Sequence, residues 1–178
     1  RIGRPGSTPR AYFTLGTVFN LESGDLPGRL IEAANTLAAD GFEVIITTGP
    51  GGATSGLPTP RAGVRVREFV PLREALGGCD VVVCHGGSGT VIAALSLGIP
   101  VVVLPMGADQ PDNADRCNEL DVGIVLDPVT ATPDAIAAAT RAVTQERAYR
   151  SSAATLGREA RAQPRLNELP SLRHLLAG

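Results

Sequence analysis

The sequence has no tryptophan and no lysine, and only 3% of its residues are aromatic. Its 16 basic residues are all arginine, they form no basic run, and 18 acidic residues bring the net charge to −2. This balance predicts no electrostatic attraction to nucleic acid or to an anionic membrane surface. The chain also lacks a signal-peptide pattern and any apolar run approaching about 18 residues, so we expect a soluble protein in the cytoplasm.

Cysteine is scarce as well, with three residues at Cys79, Cys84 and Cys117. They match no Cys-x-x-Cys or Cys/His metal spacing. Cys79 and Cys84 fall on one predicted strand, on opposite faces and too far apart for a disulfide. We therefore expect all three cysteines to be small buried hydrophobic residues.

Length and composition indicate one domain. Hydrophobic residues make up 43% of the 178-residue chain, so a core built mainly from valine, leucine, isoleucine and alanine is expected. The opening segment RIGRPGSTPR has the proline, glycine and arginine content of a linker. We assign residues 1–10 to a linker and 11–178 to the domain, and we expect the chain to be part of a longer protein.

Extended segments alternate with helical ones along the chain. The predicted strands are 11–15, 43–48, 64–69, 79–84, 99–105 and 123–126. The predicted helices are 26–40, a short one beginning near Pro71, 90–98, 111–120, one capped by Thr132, and a helical remainder broken at Pro164 and Pro170. This alternation predicts an α/β fold with a Rossmann-like, doubly wound parallel sheet of about six strands. Ligands bind beyond the carboxyl ends of such strands.

The loop after the fourth predicted strand, residues 84–91, reads CHGGSGTV. Its three glycines let the backbone approach an anion at the start of the next helix, and Ser88 and Thr90 add hydroxyl donors. The spacing matches neither the Walker pattern nor G-x-G-x-x-G, so a plain turn with Thr90 capping its helix is equally compatible. His85 offers a charge-assisted bond to a phosphate when protonated, but taken alone it is better explained as packing under the loop.

A second polar loop, PMGADQPDNA, follows the fifth predicted strand. Asp109 and Gln110 would supply the acceptors and donors that vicinal sugar hydroxyls need, although helix-start chemistry explains acidic residues there equally well. Asp112 and Asp115 are assigned to that structural role. A metal site is not expected, because no glycine-centred calcium loop or histidine accompanies these carboxylates.

Two further loops carry candidate residues. FVPL closes the third predicted strand, where the backbone of Val70 would pair with a flat base and Phe69 would form an apolar wall; structural packing is an equal alternative. Thr17, after Gly16, would meet a phosphate or cap a helix. His174 is expected to face solvent.

The segment CDVVVCHGGSGTVIAALSLGIPVVVLPMGADQPDNA, with FTLGTV and EFVPL upstream, resembles the carboxy-terminal, donor-binding half of a GT-B glycosyltransferase. The most similar group is the bacterial enzymes that glycosylate natural products such as macrolides, enediynes and aromatic polyketides. The ordered motifs cover residues 11–128. The resemblance implies nucleotide and diphosphate contacts from Thr17, Phe69, Val70, His85, Gly87, Ser88, Gly89 and Thr90, and sugar contacts from Asp109 and Gln110.

The resemblance also implies an inverting, metal-independent transfer without a cofactor, in which His85 stabilises the leaving diphosphate. The general base and acceptor pocket would belong to an amino-terminal domain that this sequence does not include, so the chain alone should bind donor without turnover. Many relatives that use UDP-sugars carry a glutamate eight positions after the motif histidine, where it holds both ribose hydroxyls. Here that position is Ala93, which favours a dTDP-linked deoxysugar. The alternatives are a UDP-sugar-using relative of the GlcNAc transferase or epimerase type, and a stand-alone nucleotide-binding module.

Overall fold

A computed structural model describes residues 8–16, 24–49 and 56–163. The strands are β1 (Arg10–Thr14), β2 (Glu43–Thr47), β3 (Val64–Arg67), β4 (Val81–Cys84), β5 (Val101–Val103) and β6 (Gly123–Val125). The helices are α1 (Leu26–Ala39), α2 (Leu72–Ala75), α3 (Ser88–Ser96), α4 (Gln110–Glu119), α5 (Pro133–Gln145) and α6 (Arg147–Ala162). Most predicted elements are confirmed to within a few residues, but the break at Glu146 between α5 and α6 was not predicted. β1 begins at Arg10, the last residue of the segment assigned to the linker.

The strands form one parallel sheet in the order β3-β2-β1-β4-β5-β6. This confirms the doubly wound, Rossmann-like class. The order reverses between β1 and β4, and ligands bind at such a switch point in open α/β sheets. Thr14 pairs with Thr47 of β2 and with Cys84 of β4, so three strands end level with one another at that point.

Both faces of the sheet are covered. The side chains of β4 and β5 are buried throughout, as expected for central strands of a parallel sheet. Val81 and Val83 contribute to a core cluster beneath α1 and α5, whereas Val82 and Cys84 contribute to a second cluster beneath α2 and α3. The strand period of two therefore distributes one valine run over two cores.

Among the helices that the structure describes, α5 has a side-chain cap and the others begin without one. Thr132 caps α5 as predicted, because its Oγ1 accepts a hydrogen bond from the Ala135 N–H at 3.2 Å. Helix α3, however, begins at Ser88 after Gly87 and has no side-chain cap. The alternative in which Thr90 caps this helix is therefore wrong, since Thr90 already lies in its first turn.

The three cysteines are free and buried, as expected. Burial raises the pKa of Cys79 to about 11, of Cys84 to about 12 and of Cys117 to about 11. The expectation that Cys79 and Cys84 occupy opposite faces of one strand is wrong. Cys79 precedes β4, which begins at Val81, and both thiols lie in the same core cluster.

Two features are absent from the described residues. No helix there is long and apolar enough to cross a membrane. No group of histidine, cysteine and carboxylate side chains there is arranged to hold a metal ion. The predicted helix breaks at Pro164 and Pro170, and the position of His174, lie outside the described ranges.

Candidate functional site

A cleft of about 360 Å³ lies at the carboxyl ends of β1, β2, β3 and β4 and at the first turn of α3. This is the switch point of the sheet. Most of the predicted site residues line it: Phe69, Val70, His85, Gly87, Ser88, Gly89 and Thr90. Thr17 is outside the described residues.

The imidazole of His85 is held between two glycines. A Cβ atom on Gly16 would lie 2.5 Å from Cε1 of His85, and a Cβ atom on Gly87 would collide with Nε2. Gly16 also has φ of +75°, a conformation that L side chains rarely adopt. Glycine is therefore required on both sides of the ring, and the position of the imidazole depends on it.

The nitrogens of His85 differ in their surroundings. Nδ1 is buried and has no hydrogen-bond partner among the residues that the structure describes. Because His85 lines the cleft, Nε2 is the nitrogen available to a ligand. Burial lowers the pKa of His85, while the backbone of Thr14 and the Asp109 carboxylate act in the opposite direction. Burial therefore favours the neutral ring, and a nearby anion would favour the imidazolium.

The loop between β4 and α3 presents backbone amides to the cleft. Gly86 has φ of +89°, and a Cβ atom there would lie 2.8 Å from a methyl carbon of Val103, so this turn also needs glycine. The N–H groups of Thr90 and Val91 are bonded to the carbonyl of Gly87. The amides before them have no intrahelical acceptor and no side-chain cap, which leaves a helix N-terminus suited to an anion.

Asp109 lies beside the cleft and accepts hydrogen bonds from two neighbouring side chains. The Ser88 hydroxyl donates to its Oδ2 atom at 2.5 Å. Asn113 Nδ2 donates to the same oxygen at 3.0 Å, to Ser88 Oγ at 3.1 Å and to the Gly86 carbonyl at 2.9 Å. The bonds from Ser88 and Asn113 hold the pKa of Asp109 below its ordinary value.

This arrangement has consequences for Ser88 and Asp109. The Ser88 proton is directed at the carboxylate, so the backbone amide of Ser88, and not its hydroxyl proton, is available to an anion in the cleft. Oδ2 of Asp109 accepts both of these side-chain hydrogen bonds, and neither of them uses Oδ1. Asn113 was missed by the sequence analysis, although it stands one helical turn after Asp109 in the same motif.

Gln110 was predicted to contact a sugar, but it is buried and its amide oxygen is bonded within the protein. Its side chain is only 2% exposed, and Oε1 accepts hydrogen bonds from the Met106 N–H at 2.7 Å and the Gly107 N–H at 3.2 Å. The amide oxygen therefore stabilises the loop that precedes α4. Contact with a sugar remains a prediction for the amide nitrogen alone.

The residues predicted to frame a base follow β3. Phe69 is 63% exposed although it is a large apolar side chain, and it lines the cleft together with Val70. Structural packing does not account for such an exposed ring. Ala93 is not in the cleft lining; it is partly buried against the α2–α3 core cluster, one turn after Gly89 and Thr90.

Three buried hydroxyl side chains in the cleft were not predicted as site residues. Tyr12 and Thr47 approach to 2.8 Å, and Thr47 Oγ1 donates to Thr14 Oγ1 at 3.0 Å. Thr14 also accepts the Gly16 N–H at 3.2 Å. They belong to strands whose other residues are mostly buried, so the sequence analysis assigned them to the core. The threonines at the last position of two adjacent strands were the signal that could have identified them.

Comparison with known proteins gives consistent matches. The model of the family described as erythromycin biosynthesis protein CIII-like, C-terminal domain, matches residues 31–174. Demethyllactenocin mycarosyltransferase of Streptomyces fradiae is 31% identical over 140 residues, which are 78% of this chain and 30% of that protein. Elloramycin glycosyltransferase of Streptomyces olivaceus is 32% identical over 176 residues, 99% of this chain and 44% of that protein. The chain spans less than half the length of either relative.

Solved structures show the same similarity. Spinosyn rhamnosyltransferase SpnG, in complex with thymidine diphosphate, superposes with a TM-score of 0.80 at 29% identity. The match covers 97% of this chain and 46% of that protein.

Proposed function

Because the chain belongs to the family of erythromycin biosynthesis protein CIII-like C-terminal domains, we propose that it is the nucleotide-sugar-binding half of a glycosyltransferase that modifies a natural product. The observation that carries the proposal is the cleft at the switch point, where His85 lies between Gly16 and Gly87 beside an uncapped helix N-terminus. The relatives' names, which describe a mycarosyltransferase and a glycosyltransferase, support the same function.

The proposed role of the cleft is electrostatic. An acceptor oxygen or carbon attacks the anomeric carbon with inversion, the bond to the diphosphate breaks, and negative charge grows on the leaving group. His85 Nε2, the amides of Ser88 and Gly89 and the α3 N-terminus stabilise that charge in positions set before the donor arrives. Because these groups supply the stabilisation, the proposed transfer is metal-independent and needs no cofactor.

The remaining predicted residues contact different parts of the donor. Phe69 and the Val70 backbone frame the base, and Thr17 and Thr90 approach the diphosphate. Asp109 Oδ1 accepts from a sugar hydroxyl, with Gln110 Nε2 as the second sugar contact. The general base and the acceptor pocket are assigned to an amino-terminal domain, so this chain alone binds donor without turnover.

We further propose that the nucleotide is dTDP and the sugar deoxygenated. Ala93 offers no carboxylate to a ribose 2′-hydroxyl, and its neighbours on the helix line the cleft. The thymidine diphosphate bound by spinosyn rhamnosyltransferase supports this choice.

Calorimetric titration of this chain with dTDP, UDP and ADP tests the proposal. We expect dTDP to bind most tightly and ADP to bind least. Binding of none of the three would contradict the donor-binding function. A clear preference for UDP would favour the UDP-sugar-using alternative.

Ala93→Glu tests the basis of nucleotide selection. Side chains on a helix lean toward its N-terminus, so a glutamate at 93 would reach back over Gly89 and Thr90 toward the cleft. We expect the ratio of UDP to dTDP affinity to rise by about tenfold, the order of one added hydrogen bond to a charged group. An unchanged ratio would remove Ala93 as the reason for dTDP selection.

A further inference from the structure

The side chain of Asn113 joins the two polar loops beside the cleft. Asn113 is the fourth residue of α4, and its Nδ2 atom donates to the Gly86 carbonyl at 2.9 Å, to Ser88 Oγ at 3.1 Å and to Asp109 Oδ2 at 3.0 Å. Gly86 and Ser88 follow β4, whereas Asp109 immediately precedes α4. One amide group therefore bonds to both loops, although Asn113 itself is not among the residues that line the cleft.

The neighbours of Asn113 determine how its amide is turned. The Gly86 carbonyl and the Asp109 carboxylate can only accept hydrogen bonds, so the nitrogen of the amide must face them and not its oxygen. The Ser88 hydroxyl proton is already directed at Asp109. Nδ2 thus supplies two protons to three oxygen atoms, and position 113 requires a donor. An aspartate of the same shape would place an acceptor against other acceptors.

The bond to Gly86 lies where the two loops pack most closely. A Cβ atom on Gly86 would collide with a methyl carbon of Val103 and would crowd the backbone oxygen of Gln110 at the start of α4. The Gln110 side chain bonds within its own loop. The Asn113 side chain instead crosses this contact and fixes the position of one loop relative to the other.

Asp109 depends on Asn113 for its orientation. Its Oδ2 atom accepts one bond from the Ser88 hydroxyl and one from Asn113 Nδ2. Two donors on one oxygen hold the plane of the carboxylate, whereas one donor would leave it free to rotate about that bond. A change at Asp109 is also transmitted to the Gly86 carbonyl, because the same amide holds both groups.

We propose that Asn113 is a positioning residue that orients Asp109 toward the sugar of the donor and couples that orientation to the loop after β4. This rests on the proposed nucleotide-sugar function. Loss of Asn113 should affect a ligand that carries a sugar more strongly than one that ends in the diphosphate. Coupling of this kind is a free energy shared between two parts of one site, and it is measured as a ratio of affinities.

The test compares ligands that differ in the sugar. Affinities for dTDP and for dTDP-glucose are measured by calorimetry at pH 8 on wild type, Asn113→Ala and Asn113→Asp. We expect Asn113→Ala to weaken dTDP-glucose binding about tenfold, the order of one hydrogen bond to a charged group, and dTDP binding only about twofold. Equal losses for the two ligands, or no loss for either, would overturn the proposal.

A pH series on dTDP-glucose binding separates positioning from a purely structural role. In Asn113→Asp the new carboxyl group faces Asp109, and two adjacent carboxylates raise the pKa of the pair for its first proton. That proton restores a donor between them as pH falls from about 8 to about 5. The deficit of Asn113→Asp relative to wild type should therefore shrink, whereas the deficit of Asn113→Ala should stay constant.

His85 interacts electrostatically with Asp109 and titrates in all three proteins, so each variant is compared with wild type at the same pH. A deficit in Asn113→Asp that does not change with pH would assign the loss to altered structure and overturn the proposal. Because aspartate has the shape of asparagine, this series also carries the test if Asn113→Ala does not fold.

Asn118→Ala is the matched control. Asn118 is an exposed residue of α4, five positions after Asn113 and outside the cleft lining. We expect it to bind both ligands as wild type does. Absence of binding of either ligand by the wild-type chain would instead contradict the proposed function, and with it this inference.

Discussion

At the end of the cleft nearest β1, His85 and the uncapped N-terminus of α3 line the cleft. At the end nearest α4, Ser88, Asp109 and Asn113 hydrogen-bond one another. The first group gains bonds when an anion arrives, whereas the second is already ordered and exposes one carboxylate oxygen. Under the proposed function we expect the diphosphate end to supply affinity and the sugar end to supply orientation.

The largest expected effect comes from displacing His85 without removing it. In Gly87→Ala the new methyl group collides with the imidazole, while the backbone at φ −61° and ψ 135° accepts alanine. We expect dTDP affinity to fall by at least about 1.5–3 kcal/mol, because the histidine bond is lost and the loop amides shift. Calorimetry measures the loss.

Gly28→Ala is the control for that substitution. Gly28 lies in α1, outside the cleft lining, and its nearest neighbour would be 3.7 Å from the added methyl group. We expect unchanged dTDP affinity and a small gain in stability, since alanine favours helix. Equal dTDP affinity in Gly87→Ala and wild type would show that the ring position is unimportant for binding.

Asp109→Asn tests the end of the cleft that is proposed to bind the sugar. It removes the charge that Ser88 and Asn113 stabilise, but it leaves the diphosphate groups in place. We expect affinity for dTDP-glucose to fall by about 1–2 kcal/mol, the order of a charge-assisted hydrogen bond, with little change for dTDP. Equal losses for the two ligands would place Asp109 with the diphosphate instead.

The sequence predicted the alternation of strands and helices well, because the elements differ clearly in hydrophobic period. The valines of β4 and β5 are buried on both faces, and helices α1, α2, α4 and α5 begin beside a proline. Parallel strands end at one edge, so the meeting of the loops followed from the fold class. The order β3-β2-β1-β4-β5-β6 was not predicted, because it depends on crossovers between distant segments.

Side-chain direction was the weaker part of the prediction. Gln110 was expected to face a sugar, but the amides of Met106 and Gly107 need an acceptor and the side chain turns inward to supply it. Thr14 and Thr47 were interpreted as strand interior. Which backbone groups of a loop need a hydrogen-bond partner depends on the folded geometry of that loop, so the sequence gives little indication of it.

The smallest expected effect is the pH dependence of binding. Burial lowers the pKa of His85 in the free chain, and a bound diphosphate favours the imidazolium and raises it again. The complex then holds more protons than the free chain between these two pKa values, so affinity should rise a few-fold as pH falls from about 8 to about 6.

dTDP-glucose is the ligand for this measurement, because it has no terminal phosphate that titrates near pH 6. His85→Gln should bind with a flat profile over the same range. The same slope in the variant would assign the proton to another group.

Calorimetric titration of dTDP into wild type and His85→Ala most directly tests the claim that this cleft stabilises the leaving diphosphate. We predict that the variant keeps its fold and loses about 1–3 kcal/mol of binding free energy, the usual scale for a hydrogen bond to a charged group. Unchanged dTDP affinity in a folded His85→Ala variant would contradict the account and leave His85 as a packing residue.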